Sequence, residues 1–148
     1  MPGIQEGEVR VDDTAIAQEA IERVKAVARA DKPALDRLGI TLDAVEAGRV
    51  TLGLVVEPSM ANSHGTCHGG FVFALADTAF AYALLSVGKK AATVQASICL
   101  IRPARLGSKI HAIAEVSKAG RSISFATCRI FDSENVLIAE FQGNAVNG

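Results

Sequence analysis

Apolar residues recur along this chain with two different periods, and the switch between them divides it. Asp12 and Asp13 can cap a helix in which Ile16, Ala20, Val24, Val27 and Ala28 fall on one face, with Glu19, Glu22, Arg23 and Lys25 mostly elsewhere. Pro33 suits the first turn of a second short helix, Lys32 to Arg37, and Gly39 would end it. After that the period drops to two. Ile40 to Val45 and Arg49 to Val56 flank Ala47-Gly48 and read as a hairpin, with Val50, Leu52, Leu54 and Val56 on one face. A loop rich in Pro, Ser, Asn, His and Gly runs from Glu57 to Gly70. Next comes a helix from Gly70 to Ser86 that is apolar on nearly every side, as expected of a helix enclosed by the rest of a fold.

Four strand-like runs complete the chain: Ala92 to Ile101, Lys109 to Val116, Ser122 to Phe131, and Val136 to about Ala145. Turn signals at Pro103 to Ser108, Lys118 to Gly120 and Asp132 to Asn135 separate them. Helix, two strands, enclosed helix and four strands predict an α+β fold with an antiparallel sheet. No internal repeat or linker interrupts it. One compact domain is expected, residues 1–34 forming an N-terminal helical extension to a domain over 35–148.

Composition narrows the picture. At 148 residues the chain can bury roughly 68–70% of its unfolded surface, enough for a core without disulfides or a structural metal. Fifteen Lys plus Arg against sixteen Asp plus Glu leave no basic excess for neutralising phosphates, which argues against a nucleic-acid partner. Cys67, Cys99 and Cys128 form no disulfide framework, and Met1 to Arg10 lacks the apolar core of a secretion signal, so a cytoplasmic setting is expected. The longest apolar stretch, Phe71 to Val87, is interrupted by Asp77, which argues against a membrane span.

Asp77 is the one acid in the central helix. Gly70, Ala74, Asp77 and Ala81 share a stripe of small residues, flanked by Phe71, Leu75 and Tyr82 on one side and Phe73, Phe80 and Leu84 on the other. A carboxylate in apolar surroundings costs several kcal/mol unless bonded, paired or protonated. Two readings follow: a structural bond, for instance to Thr78, or a catalytic base. The preceding loop favours chemistry. His64-Gly-Thr-Cys67-His68-Gly69-Gly70 brings exposed backbone N–H groups to the positive end of the helix dipole, where an anion or oxyanion could bind. Gly69 and Asp77, however, are eight residues or about 12 Å apart along one helix, too far to serve a single carbonyl. A two-fold dimer with antiparallel helices would bring one chain's glycines opposite the other's Asp77 and create two shared sites.

Asn62, His68-Gly69-Gly70, Leu75-Ala76-Asp77-Thr78-Ala79 and the strand end Ile101-Arg102-Pro103-Ala104 together resemble the hotdog-fold acyl-CoA thioesterases. The wording Cys-His-Gly-Gly and Leu-Ala-Asp-Thr-Ala-Phe-Ala-Tyr-Ala is similar in particular to the phenylacetyl-CoA thioesterases of bacterial phenylacetate degradation, over about residues 35–146. The resemblance implies a sheet wrapped around a long central helix and hydrolysis of an aryl-acetyl coenzyme A thioester. Asp77 would be nucleophile or general base, and Gly69 would give its N–H to the thioester oxygen. Asn62 would place the water or carbonyl, and His68 would orient the loop and thioester. Gly70 and Thr93 would lie against the substrate, Thr93 where relatives often place a hydroxyl near the attacking water. The family is usually a dimer or dimer of dimers, with coenzyme A as substrate in a groove between subunits and no metal or other cofactor.

Other readings remain open at this level. His64, Cys67 and His68 have spacing tolerable for a metal, and Cys67 near a helix N-terminus could have a lowered pKa, but a catalytic zinc takes three protein ligands and adjacent residues need not face one way. An acyl-CoA-binding sensor would gain nothing from Asp77. A hydratase or dehydratase would pair an acid with a catalytic His such as His68. Medium-chain or dihydroxynaphthoyl thioesters are alternative substrates. Arg102, Arg105, Lys109, Lys118 and Arg121 could meet the phosphates of coenzyme A, and Phe71, Phe73, Phe80 and Tyr82 either line an aromatic pocket or belong to the core. His111 reads as a residue of the sheet's other face.

Overall fold

The computed structural model describes residues 11–148, so the reading of Met1 to Arg10 lies outside the described residues. Helix α1 (Val11–Ala30) is followed by α2 (Lys32–Leu38), strands β1 (Ile40–Glu46) and β2 (Arg49–Val55), and a short 3-10 turn at Pro58–Met60. Helix α3 (Gly69–Ser86) comes next, then β3 (Ala91–Leu100), β4 (Lys109–Ala119), β5 (Ile123–Phe131) and β6 (Leu137–Asn147). The six strands form one antiparallel sheet in the order β1-β2-β4-β5-β6-β3, with α3 packed across its inner face. The α+β expectation holds.

Side-chain size explains how closely helix and sheet meet. The inner face of the sheet offers Ala112, Ala114, Ala126, Ala139 and Ala145, all buried, and α3 answers with buried Ala76, Ala79 and Ala83. Leu52, Leu54, Ile110 and Ile130 fill the space between these alanines. Phe80 is fully buried and meets the Phe141 ring edge-on with centroids 5.7 Å apart. A Cβ at Gly143 would stand 3.2 Å from the Phe80 ring, so the ring lies directly on β6 backbone. Truncating an aromatic side chain in such a place costs about 3–5 kcal/mol. Phe80 and Tyr82 are therefore core residues and no pocket lining. By length and composition α3 could span a membrane, yet half of it is buried, packed against the sheet and α1.

Local chemistry accounts for the ends of the elements. Gly39 closes α2 in the left-handed conformation at φ 72°, which a residue with a Cβ adopts only under strain. Asp12 and Asp13 lie within the first turn of α1, where the helix dipole favours negative charge, instead of ahead of it as caps. The turn expected at Lys118 to Gly120 falls later. Strand β4 continues to Ala119 because a bulge between Val116 and Lys118 absorbs one residue and keeps pairing with β5 alive.

Helix α1 packs on α3 through Ala20 and Val24, both fully buried. Two polar ties hold it there. Arg23 Nη1 donates to the Ser86 carbonyl at 3.3 Å, and the Tyr82 hydroxyl donates to Asp31 Oδ2 at 2.7 Å. Burial, reinforced by that bond and by the charge of Asp31, raises the Tyr82 pKa above the ordinary tyrosine range. A raised folded-state pKa contributes stability that is complete below the unfolded value near about 10 and is lost as pH climbs beyond it. Tyr82→Phe is expected to cost about 1 kcal/mol in denaturant unfolding at neutral pH, and the gap to the native chain should narrow above pH about 10.

Candidate active site

The loop between β2 and α3 is built around Asn62. Its Oδ1 accepts from the His64 N–H at 2.9 Å and the Thr66 N–H at 3.1 Å, while Nδ2 donates to Thr66 Oγ1 at 3.0 Å. Two further backbone bonds, His68 N–H to Met60 O at 2.7 Å and Cys67 N–H to Ala104 O at 2.9 Å, fasten the loop to the rest of the domain. Asn62 thus directs its amide into its own loop, where it shapes the approach to α3, and it also lines the cleft beside Gly69.

His68 is the N-cap of α3. Its extended backbone turns the chain into the helix, and its Nδ1 accepts from the Gly70 N–H at 3.1 Å. The two glycines are consequently unequal, which the sequence did not reveal. The Gly70 N–H is consumed by the cap, whereas among the described residues the Gly69 N–H has no acceptor. Gly69 lines a cleft of about 230 Å³ together with Asn62, Thr66, Cys67, Val72 and Leu100, among others.

Asp77 lies two turns further on, half-buried, on the side of α3 that the sheet leaves open. Thr78 does not bond it, because its Oγ1 donates back to Ala74 O at 2.7 Å within the helix. The partner is Thr93, whose Oγ1 donates to Asp77 Oδ1 at 3.2 Å. A bulge delivers that hydroxyl. Thr93 is in register with inward-facing Ala145, and Gln95 with Asn144 on the outer face, so Val94 is the extra residue. In a strand without the bulge, Val94 would face the helix and Thr93 the opposite side.

Strand β3 runs antiparallel to α3 along this open side, which places Leu100 beside Gly69 and Thr93 beside Asp77. The structure therefore brings the predicted residues together in two groups, one at each end. Asn62, His68, Gly69 and Gly70 form the first; Asp77 and Thr93 form the second. Leu100 and the Val94 bulge were missed. Their signals were the inward alternation Ala96, Ile98, Leu100 and the odd spacing between Thr93 and Ala96.

The alternative chemistries find little geometry here. Burial raises the Cys67 pKa, opposite to the lowering expected from a helix N-terminus, so the residue is a thiol and a poor nucleophile. Cys128 is pushed up to about 12 for the same reason, and Cys99 is exposed on the outer face. Among the described residues no cluster of three His, Cys, Asp or Glu side chains could hold a metal. His111 is on the sheet's outer face, with Nδ1 3.6 Å from Asp43 Oδ2.

Residues 64–139, which include His68, Gly69, Gly70, Asp77 and Thr93, match the thioesterase superfamily. The chain belongs to that superfamily. It is 34% identical over 108 residues to acyl-coenzyme A thioesterase PaaI of Escherichia coli, covering 73% of this chain and 77% of that protein. Acyl-coenzyme A thioesterase 13 of Homo sapiens is 32% identical over 116 residues, covering 77% and 83% respectively. The solved structure of the E. coli PaaI protein from the phenylacetic acid degradation operon superposes with a TM-score of 0.86 at 30% identity, covering 90% of this chain and 96% of that one. The hotdog architecture implied by the sequence resemblance is thereby shown.

Within this thioesterase the Thr93 bond fixes one oxygen of Asp77. Thr93→Val keeps the shape and removes the donor; kcat on a thioester substrate is expected to fall about tenfold with KM little changed, as when an interaction made in the transition state is lost.

Proposed function

We propose that this enzyme hydrolyses an aryl-acetyl coenzyme A thioester, phenylacetyl or hydroxyphenylacetyl, to the free acid and coenzyme A. The observation that carries the reading is the pairing of a free Gly69 N–H at a helix N-terminus with a single half-buried carboxylate, Asp77, on the same open side of α3. The first is a donor for the oxygen of a thioester carbonyl, which becomes an oxyanion on attack, and the helix dipole adds to its effect. The second supplies the attacking group, either directly as a nucleophile or by deprotonating water. The aryl-acetyl choice draws support from the likeness to PaaI and its operon. Three free thiols agree with a reducing, cytoplasmic setting.

The separation of about 12 Å along α3 calls for a second copy. In this reading two chains pack about a two-fold axis with their α3 helices antiparallel, so that Gly69 of one faces Asp77 of the other. The open side suits this. Along the Gly70, Ala74, Asp77, Ala81 stripe Gly70 is exposed and the other three are partly exposed, β3 is the edge of the sheet, and Val94 and Leu100 on it are 59% and 53% exposed. Small residues allow a second backbone to approach, and exposed apolar groups near it gain from burial.

Thiol release from a panel of phenylacetyl, hydroxyphenylacetyl, benzoyl, naphthoyl and straight-chain acyl-CoAs tests the activity. Phenylacetyl or hydroxyphenylacetyl-CoA should show the highest kcat/KM, and Asp77→Asn should lower turnover by about two or more orders of magnitude. Binding of these thioesters without thiol release would instead indicate a sensor. A second measurement addresses the shared site. Gly69→Pro removes the N–H at a position where His68 already has the extended backbone that precedes proline. Each inactive variant alone should stay inactive, while mixed Asp77→Asn and Gly69→Pro chains should regain activity in heterodimers; no recovery after demonstrated subunit exchange contradicts the shared site.

A further inference from the structure

We propose that Leu100 is a specificity-determining residue, its side chain forming the adjustable wall that sets how much acyl bulk can reach the Gly69 N–H. Leu100 is in register with buried Ala139 and so points to the helix side of the sheet, yet it remains 53% exposed at the mouth of the Gly69 cleft. A Cβ at Gly69 would stand 2.9 Å from Leu100 Cδ1, so this methyl lies directly on the glycine whose N–H is free. A thioester carbonyl bonded to that N–H has to share the space with Leu100.

The rest of the cleft is more firmly held. Val72 and Cys67 are buried, Ala104 accepts from the Cys67 N–H, and Asn62 and Thr66 are bonded to each other. Leu100 makes no such bond and lies at the β3 edge that the second copy would cover, so its side chain is the wall whose size can change without disturbing the loop of its own chain. An acyl group with bulk close to the carbonyl, such as an aryl ring, meets it; a short straight chain does not. The inference rests on the thioesterase reading and extends it to substrate choice.

The test compares kcat/KM for naphthoyl-, phenylacetyl- and acetyl-CoA in the native enzyme, Leu100→Ala, Leu100→Phe and Leu100→Met, with thermal unfolding of each. Leu100→Ala should raise the naphthoyl to acetyl ratio about tenfold, Leu100→Phe should lower it by a similar factor, and Leu100→Met, close in volume, should leave it nearly unchanged. A role in packing alone would depress all three substrates together. An unchanged ratio in the Ala and Phe variants, with hydrolysis retained, overturns the proposal and spares the thioesterase reading. Absence of thiol release by the native enzyme on every thioester overturns both.

Discussion

The seating of α3 on an alanine-lined sheet is the interaction on which the rest of the molecule depends. An 18-residue helix with apolar groups on nearly every side has no stable place in water, and six strands with one apolar face have none either. Each removes the other's apolar surface. Small side chains on both partners set the distance, and Phe80, resting against the backbone of β6, limits the room for adjustment. The position of the helix N-terminus, and with it the direction of the Gly69 N–H, follows from that packing.

The helix is wider than the sheet can cover, and the candidate site occupies the remainder. The open side carries small residues, one carboxylate and the edge strand β3, and there the chain departs from regular geometry. Val94 bulges out of β3 and turns the Thr93 hydroxyl toward Asp77. At the other end the Asn62 network binds the loop to itself and the His68 cap takes the Gly70 N–H, while among the described residues the Gly69 N–H has no acceptor. A free donor at the positive end of a buried helix dipole suits a developing negative charge, because it needs no reorganisation when the charge appears. The two ends of the open side are therefore complementary in sign: a donor and dipole at one, a carboxylate at the other.

Membership in the thioesterase superfamily fits this division, since hydrolysis of a thioester requires both an oxyanion donor and an attacking group. The architecture also bears on selectivity. The cleft beside Gly69 is lined by a loop bound into the domain and by a leucine that is not, so under the proposed function a carbonyl held there would meet walls of different firmness.

The sequence by itself determined the α+β class, the order of the elements, and the assignment of Asp77 and Gly69 to one helix at a separation no single carbonyl could bridge. These follow from periodicity and helical rise, properties that depend only on neighbours along the chain. It also marked Thr93 through family resemblance, though not the means by which that hydroxyl reaches the helix. Tertiary structure alone decided that a bulge would turn Thr93 inward, that the His68 ring would consume the Gly70 N–H and leave Gly69's free, and that Leu100 would rest on that glycine. It also decided that Cys67 would be a buried thiol of raised pKa where proximity to a helix N-terminus suggested the reverse. Each outcome is settled by which atoms from distant segments compete for the same space, hydrogen bond or water, and spacing along a chain does not encode that competition.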